Sequence, residues 1–184
     1  MLVTFAGLHG TGKTTVAKLI AEKFHLMHYS TGALFREMAQ EYHMTLVEFS
    51  DYAAKHKKID IKLDKKMKQL GLKGNAVLDG QLCWYFLKNE ADWKVLLTCD
   101  EMTRIQRIFE RDREVKGGNI TLESARKETL ERERIEQARY KDIYGIDLSD
   151  MDFVKRNHNI VVDTTNIGIN DVVEKIVAQM KSAK

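Results

Sequence analysis

Gly7-Leu8-His9-Gly10-Thr11-Gly12-Lys13-Thr14-Thr15 follows the apolar run Leu2-Val3-Thr4-Phe5-Ala6 and opens a segment of helical periodicity. GxxxxGKT between a strand and a helix is a phosphate-binding P-loop in the context that such a loop requires. Its glycines let successive backbone N–H groups turn toward a phosphate. Lys13 adds a point charge for the β and γ oxygens, and the Thr14 hydroxyl is a ligand for Mg²⁺. The helix N-terminus behind the loop contributes a partial positive charge. The stretch from Gly7 to Thr15 therefore predicts binding of a nucleoside triphosphate with Mg²⁺.

Outward from the loop the chain alternates strands and helices. Val16, Leu19, Ile20 and Phe24 recur at i, i+3, i+4 and i+8, an amphipathic helix that packs back on the first strand. Apolar runs at 26–29, 76–78, 95–99 and 159–162 are the further strands. Joined by helical crossovers, the five make a parallel sheet and an α/β fold. Val172, Val173, Ile176, Val177 and Met180 give the last helix one apolar face that closes the core. Residues 30–74 and 114–158 are too long for simple crossovers and are read as mobile substrate covers. The single domain thus has a core of 1–29, 75–113 and 159–184 with two helical insertions.

Composition narrows the partners. The chain has 184 residues, 43% hydrophobic and 31% charged, enough for one domain with a sheet covered on both faces. Thirty basic against 27 acidic residues leave +3, too small an excess to argue for nucleic acid or a membrane, and anionic small molecules suit it better. Cys83 and Cys99 lie in apolar runs without C-x-x-C spacing, so both are expected as buried thiols in a reducing compartment. No apolar run reaches the roughly 18 residues of a membrane span, and no signal-peptide pattern opens the chain. A cytoplasmic monomer is the expectation.

Four stretches carry candidate chemistry. In Tyr29-Ser30-Thr31-Gly32-Ala33-Leu34-Phe35-Arg36, Ser30 or Thr31 caps a helix and Arg36 is aimed above the P-loop. Thr45 and Glu48 have capping-box spacing. Asp60 and Asp64, one turn apart, either face a ligand or, in the commoner case, are solvated. The strand 75–79 ends in Asp79 followed by Gly80, and ligands of an open parallel sheet sit beyond the carboxyl ends of its strands. Asp79 is therefore placed to hold the Mg²⁺ shell through water.

Arginines supply the other half of the pattern. Arg104, Arg107 and Arg111 share one helix face, and Arg132, Glu136 and Arg139 repeat the spacing in a long charged helix. Planar guanidinium groups grip the equatorial oxygens of a phosphoryl group in transfer without changing protonation state. The alternative is two solvated faces salt-bridged to Glu101, Glu110, Glu131 and Glu133.

Taken together, GLHGTGKT, STGALFRE at 30–37, IDIKLD at 59–64, LDG at 78–80 and above all ETLERERIEQARYKDIYGID at 128–147 make the chain resemble a nucleoside monophosphate kinase, specifically the archaeal type of cytidylate kinase. That resemblance implies a P-loop kinase fold in which 30–74 is the NMP-binding insertion and 114–158 the LID region. It implies transfer of the ATP γ-phosphoryl group to CMP, and to dCMP, with Mg²⁺. Lys13, Arg36, Arg132 and Arg139 would carry the transfer, Arg36 on the acceptor phosphate and the other two arginines entering with the cover. Ser30, Thr31, Asp60, Gln81 and Glu136 would face the acceptor, Arg107 the adenine of ATP and Arg111 its phosphates.

Two departures stand out. Gln81 lies where related kinases carry an arginine, so it brings a hydrogen bond without charge. Leu8-His9 replaces the usual Pro-Pro or Pro-Ala, and His9 is read as occupying the loop tip. The rival readings are adenylate kinase or another small-molecule P-loop kinase, and, in a different class, a non-catalytic nucleotide-binding module. A GTPase switch would need an N-K-x-D guanine motif, which the sequence lacks.

Overall fold

The computed structural model describes residues 1–116 and 120–182. Residues 117–119, within the expected second insertion, and 183–184, at the end of the expected last core segment, lie outside the described residues. In chain order the elements are β1 (Leu2–Ala6), α1 (Lys13–Lys23), β2 (Met27–Ser30), α2 (Thr31–Glu41), α3 (Leu46–Lys55), α4 (Lys58–Leu72), β3 (Ala76–Asp79) and α5 (Cys83–Phe86). There follow β4 (Trp93–Thr98), α6 (Glu101–Lys116), α7 (Leu122–Tyr144), α8 (Met151–Arg156), β5 (Ile160–Asp163) and α9 (Ile169–Ser182).

The five strands form one parallel sheet in the order β2-β3-β1-β4-β5. β1 is buried along its whole length because helices cover both faces, which is why its sequence reads as a continuous apolar run. It lies between β3 and β4, so the chain leaves β1 where the strand order reverses, and a crevice opens there at the carboxyl end of the sheet.

Alternation along the strands divides the core. Val3, Phe5 and Val77 pack with Val16, Ile20 and Ile176 of α1 and α9. Leu2, Ala76 and Leu78 face the other way, into Leu34, Phe49, Leu63 and Met67 of α2, α3 and α4. A third cluster, with Ala6, Trp84, Leu96, Tyr140, Leu148 and Val154, seats the end of α7 and α8 over β1 and β4.

The strands fall within a residue or two of their sequence-based limits. β2 starts at Met27, since the Leu26 N–H is taken by the Ala21 carbonyl at 2.8 Å and Leu26 packs toward α1. Its end, Ser30, is in register with Asp79 of β3. Cys99 falls just past the last paired residue of β4 and is only partly buried, a correction to the expectation of two buried thiols; Cys83 is buried.

Local signals account for the ends of α3 and α7. Thr45 and Glu48 form the capping box that starts α3. Thr121 caps α7 through Ser124, and Gly145 ends it at φ 69°. At 23 residues α7 is about 35 Å long, enough to reach from the P-loop to α4.

Candidate functional site

Backbone geometry shapes the P-loop first. Gly10 has φ 81°, and a Cβ there would stand 2.5 Å from the Arg104 carbonyl oxygen, so only glycine lets α6 pack onto the loop. Thr11 Oγ1 and Lys13 Nζ both donate to the Leu8 carbonyl at 2.9 Å. Lys13 thus folds back across the loop; its burial lowers its pKa, against the opposing pull of Asp79, Glu136 and Glu133.

The parallel register brings the ends of β1, β2 and β3 level, and three oxygens meet there. Thr14 Oγ1 donates to Asp79 Oδ2 at 2.5 Å, and Ser30 Oγ donates to the same oxygen at 3.3 Å. Ser30 stands at the N-cap of α2, yet its hydroxyl makes no cap bond, because Asp79 takes it. Thr31 lies against Gly80, where a Cβ would come within 2.1 Å of Thr31 Oγ1. A hydroxyl beside a carboxylate suits a hard divalent cation that keeps most of its waters and takes further oxygens from phosphates. Among the described residues no cluster of three His, Cys, Asp or Glu side chains forms an all-protein metal cage.

The first arginine stripe divides. Arg104 is buried and pairs with Glu133, Nη1 to Oε1 at 2.7 Å, while the same Nη1 donates to the His9 carbonyl at 2.7 Å. Arg107 donates to the Thr164 carbonyl at 2.7 Å and to its hydroxyl at 3.1 Å, and that hydroxyl in turn reaches the Thr11 carbonyl at 3.1 Å. Arg107 is thereby tied to the P-loop through one threonine. Arg111 is exposed and donates to Asp112.

α7 spans the site. Near its middle His9 N donates to Glu133 Oε1 at 3.0 Å, and the His9 ring Nε2 meets Glu136 Oε2 at 2.9 Å. Arg132 Nε donates to the other Glu136 oxygen at 3.1 Å. Burial would raise the Glu136 pKa, but His9 and Arg132 outweigh it and hold the carboxyl down at about 2. At the far end Arg139 pairs with Asp60 of α4, Nε to Oδ2 at 3.2 Å, and the Tyr144 hydroxyl donates to Asp64 Oδ2 at 2.7 Å. Asp60 and Asp64 are both buried, which corrects the solvated reading: α7 covers them. Burial raises both pKa values, that of Asp64 to about 6.

A cavity of about 210 Å³ lies between the P-loop, the ends of β1 and β4, and α5, α7 and α8. Leu8, Trp84, Leu96, Tyr140 and Met151 form its apolar walls, and Gln81, Glu136 and Gln137 add polar groups. Gln81 and Glu136 therefore share one compartment with Gly7, Leu8 and Thr11. Arg36 does not line this cavity: it is exposed and has no ion-pair partner among the described residues, and a Cβ on Gly32 would stand 3.7 Å from both Arg36 Nη1 and Ser30 Oγ.

The sequence showed the loop, Asp79 and the arginine spacings, with Glu133 as one of four solvated partners for the arginines; it did not show that Arg104 and Glu133 pair buried, nor the His9–Glu136 contact or the Tyr144–Asp64 bond. The residues at 104 and 133 stand 29 apart, and no local periodicity links them. The one available signal was the spacing of Glu133 and Glu136 on the same helix face as Tyr140. Among the described residues no helix is long and apolar enough to cross a membrane.

Three comparisons bear on this arrangement. A family model described as an AAA domain matches residues 3–131. The chain is 39% identical over 187 residues to the cytidylate kinase of Methanocaldococcus jannaschii, covering 100% of this chain and 99% of the relative. It is 37% identical over 183 residues to that of Methanococcus vannielii, covering 96% and 99%. Among solved structures, shikimate kinase from Bacteroides thetaiotaomicron superposes with a TM-score of 0.64 at 14% identity, covering 97% of each chain, a likeness of fold.

Proposed function

The chain belongs to the cytidylate kinase family, and from that premise we propose how its residues divide the work of an ATP-dependent phosphotransferase. In the reaction a phosphate oxygen of CMP attacks the γ-phosphorus of ATP in line, the bond to the β–γ bridging oxygen breaks, and CDP and ADP leave. dCMP is proposed as a second acceptor.

The backbone N–H groups of the loop from Gly7 to Thr15, apart from that of His9, which Glu133 takes, and the Lys13 ammonium hold the donor phosphates. Lys13 must release the Leu8 carbonyl to do so, a short swing of a flexible stem. Thr14 and, through water, Asp79 are the residues that would hold Mg²⁺, which when bound neutralises charge on the β and γ oxygens. Arg107, anchored by Thr164, lies beside the adenine, and Arg111 turns from Asp112 toward the donor phosphates.

On the acceptor side Arg36 takes the CMP phosphate, with Ser30, Thr31, Asp60, Gln81 and Glu136 around the nucleotide. Arg132 and Arg139 grip the transferring group as α7 closes and excludes water, which would otherwise accept it. The observation that carries this reading is that one helix reaches both halves of the site: α7 meets the P-loop through Glu136 and His9, and α4 through Arg139 and Asp60.

An ADP-release assay across CMP, dCMP, UMP, AMP, GMP and shikimate tests it. CMP is expected to give the highest kcat/KM, and AMP as the best acceptor would sink the assignment.

A further inference from the structure

The P-loop residue His9 does more than fill the loop tip. Its backbone N–H donates to Glu133, its carbonyl accepts from Arg104, and its ring reaches Glu136, so all three of its polar groups are turned toward α6 and α7. Glu136 is largely buried and both its oxygens are occupied, Oε2 by the His9 ring and Oε1 by Arg132 Nε. An ionised carboxylate only accepts hydrogen bonds, so His9 Nε2 carries the hydrogen in this contact.

Arg132 stands differently. Its side chain is 64% exposed, and Glu136 is its only partner among the described residues. An exposed ion pair by itself holds a long side chain weakly. Here the partner is itself fixed, because the His9 ring pins the carboxylate from the loop side. The contact uses Arg132 Nε and leaves its two Nη groups free for a ligand.

We propose that His9 is a positioning residue for phosphoryl transfer: through Glu136 it orients the Arg132 guanidinium over the P-loop. The inference rests on the transfer role given to Arg132 above. His9 touches neither substrate; it makes the geometry of the P-loop govern the geometry of the lid arginine. Glutamine at position 9 keeps a side-chain N–H donor of comparable reach, whereas alanine removes it.

A double-mutant cycle tests the relay, measured with whichever acceptor turns over fastest, so that it stands apart from the choice of CMP. His9→Ala is expected to lower kcat on the order of 10²-fold, as a small misplacement of a catalytic group does, with KM for ATP within a few-fold of the parent. His9→Gln is expected to recover most of that loss. Arg132→Ala in the His9→Ala background is expected to cost far less than in the parent, because the two act in series. The proposal is overturned by equal Arg132→Ala factors in both backgrounds, or by a His9→Ala effect confined to KM. An unchanged kcat in His9→Ala also refutes it, whereas a best acceptor other than CMP bears only on the substrate assignment. If His9→Ala fails to fold, the same cycle is run with His9→Gln and His9→Asn, whose reach differs by one methylene; equal kcat in these two also counts against the relay.

Discussion

Arg104 and Glu133 form an ion pair buried between α6, α7 and the P-loop, with side chains 4% and 7% exposed and Nη1 2.7 Å from Oε1. Arg104 also holds the His9 carbonyl, and Glu133 the His9 N–H, so the pair clasps the loop tip from both sides. Removing one partner leaves a buried charge uncompensated. Glu133→Leu or Arg104→Met is expected to lower stability by about 3–5 kcal/mol. The double replacement should recover most of that, and urea unfolding of the three variants against the parent measures it.

Arg132→Ala separates chemistry from stability. Its pair with Glu136 is exposed on the arginine side, so unfolding is expected to shift by no more than about 1 kcal/mol. Turnover should fall by roughly 10³-fold or more if this guanidinium meets the transferring group. Steady-state kinetics beside a thermal melt distinguishes the two, and unchanged turnover would remove Arg132 from the mechanism.

Asp64 and Glu136 should give opposite pH signatures. Burial raises the folded Asp64 pKa to about 6, above its unfolded value near 4, with the Tyr144 hydrogen bond partly offsetting it. The folded state therefore keeps a proton that the unfolded state has lost, and stability declines as pH rises from about 4 to about 6. The full penalty above that window is on the order of 3 kcal/mol. Asp64→Asn keeps an acceptor for Tyr144, so its melting temperature should exceed the parent's at pH 8, with the gap closing toward pH 4.

Glu136 runs the other way. Its folded pKa of about 2 lies below the ordinary 4.5, so its contribution is complete above 4.5 and is lost as pH falls toward 2. Glu136→Gln should destabilise at pH 7 and converge with the parent in acid, as followed by denaturant midpoints across pH.

The two thiols should differ in reactivity. Cys83 is buried, and that burial pushes its thiol pKa far up, while Cys99 is partly exposed on the cavity wall. A thiol-reactive chromophore is expected to label one cysteine in the native protein, identified as Cys99 by peptide mapping. Cys83 should react only on unfolding.

What local sequence could determine, it did. GxxxxGKT after an apolar run, the capping box at Thr45 and the apolar face of α9 each depend on residues a few positions apart, so spacing alone announced the strand, loop and helices. The end of β3 at Asp79 was legible for the same reason. The arginine spacings were visible too, but not their fates: Arg104 became a buried clasp, Arg107 a ligand of Thr164 and Arg111 a surface pair. Asp60 and Asp64 looked like any helix carboxylates until α7 lay over them. Only the packing of α7 across the P-loop and α4 joined His9 to Glu136 and Asp60 to Arg139, residues 127 and 79 positions apart. Burial and charge pairing at that range follow from the docking of whole helices, which periodicity within one helix does not encode.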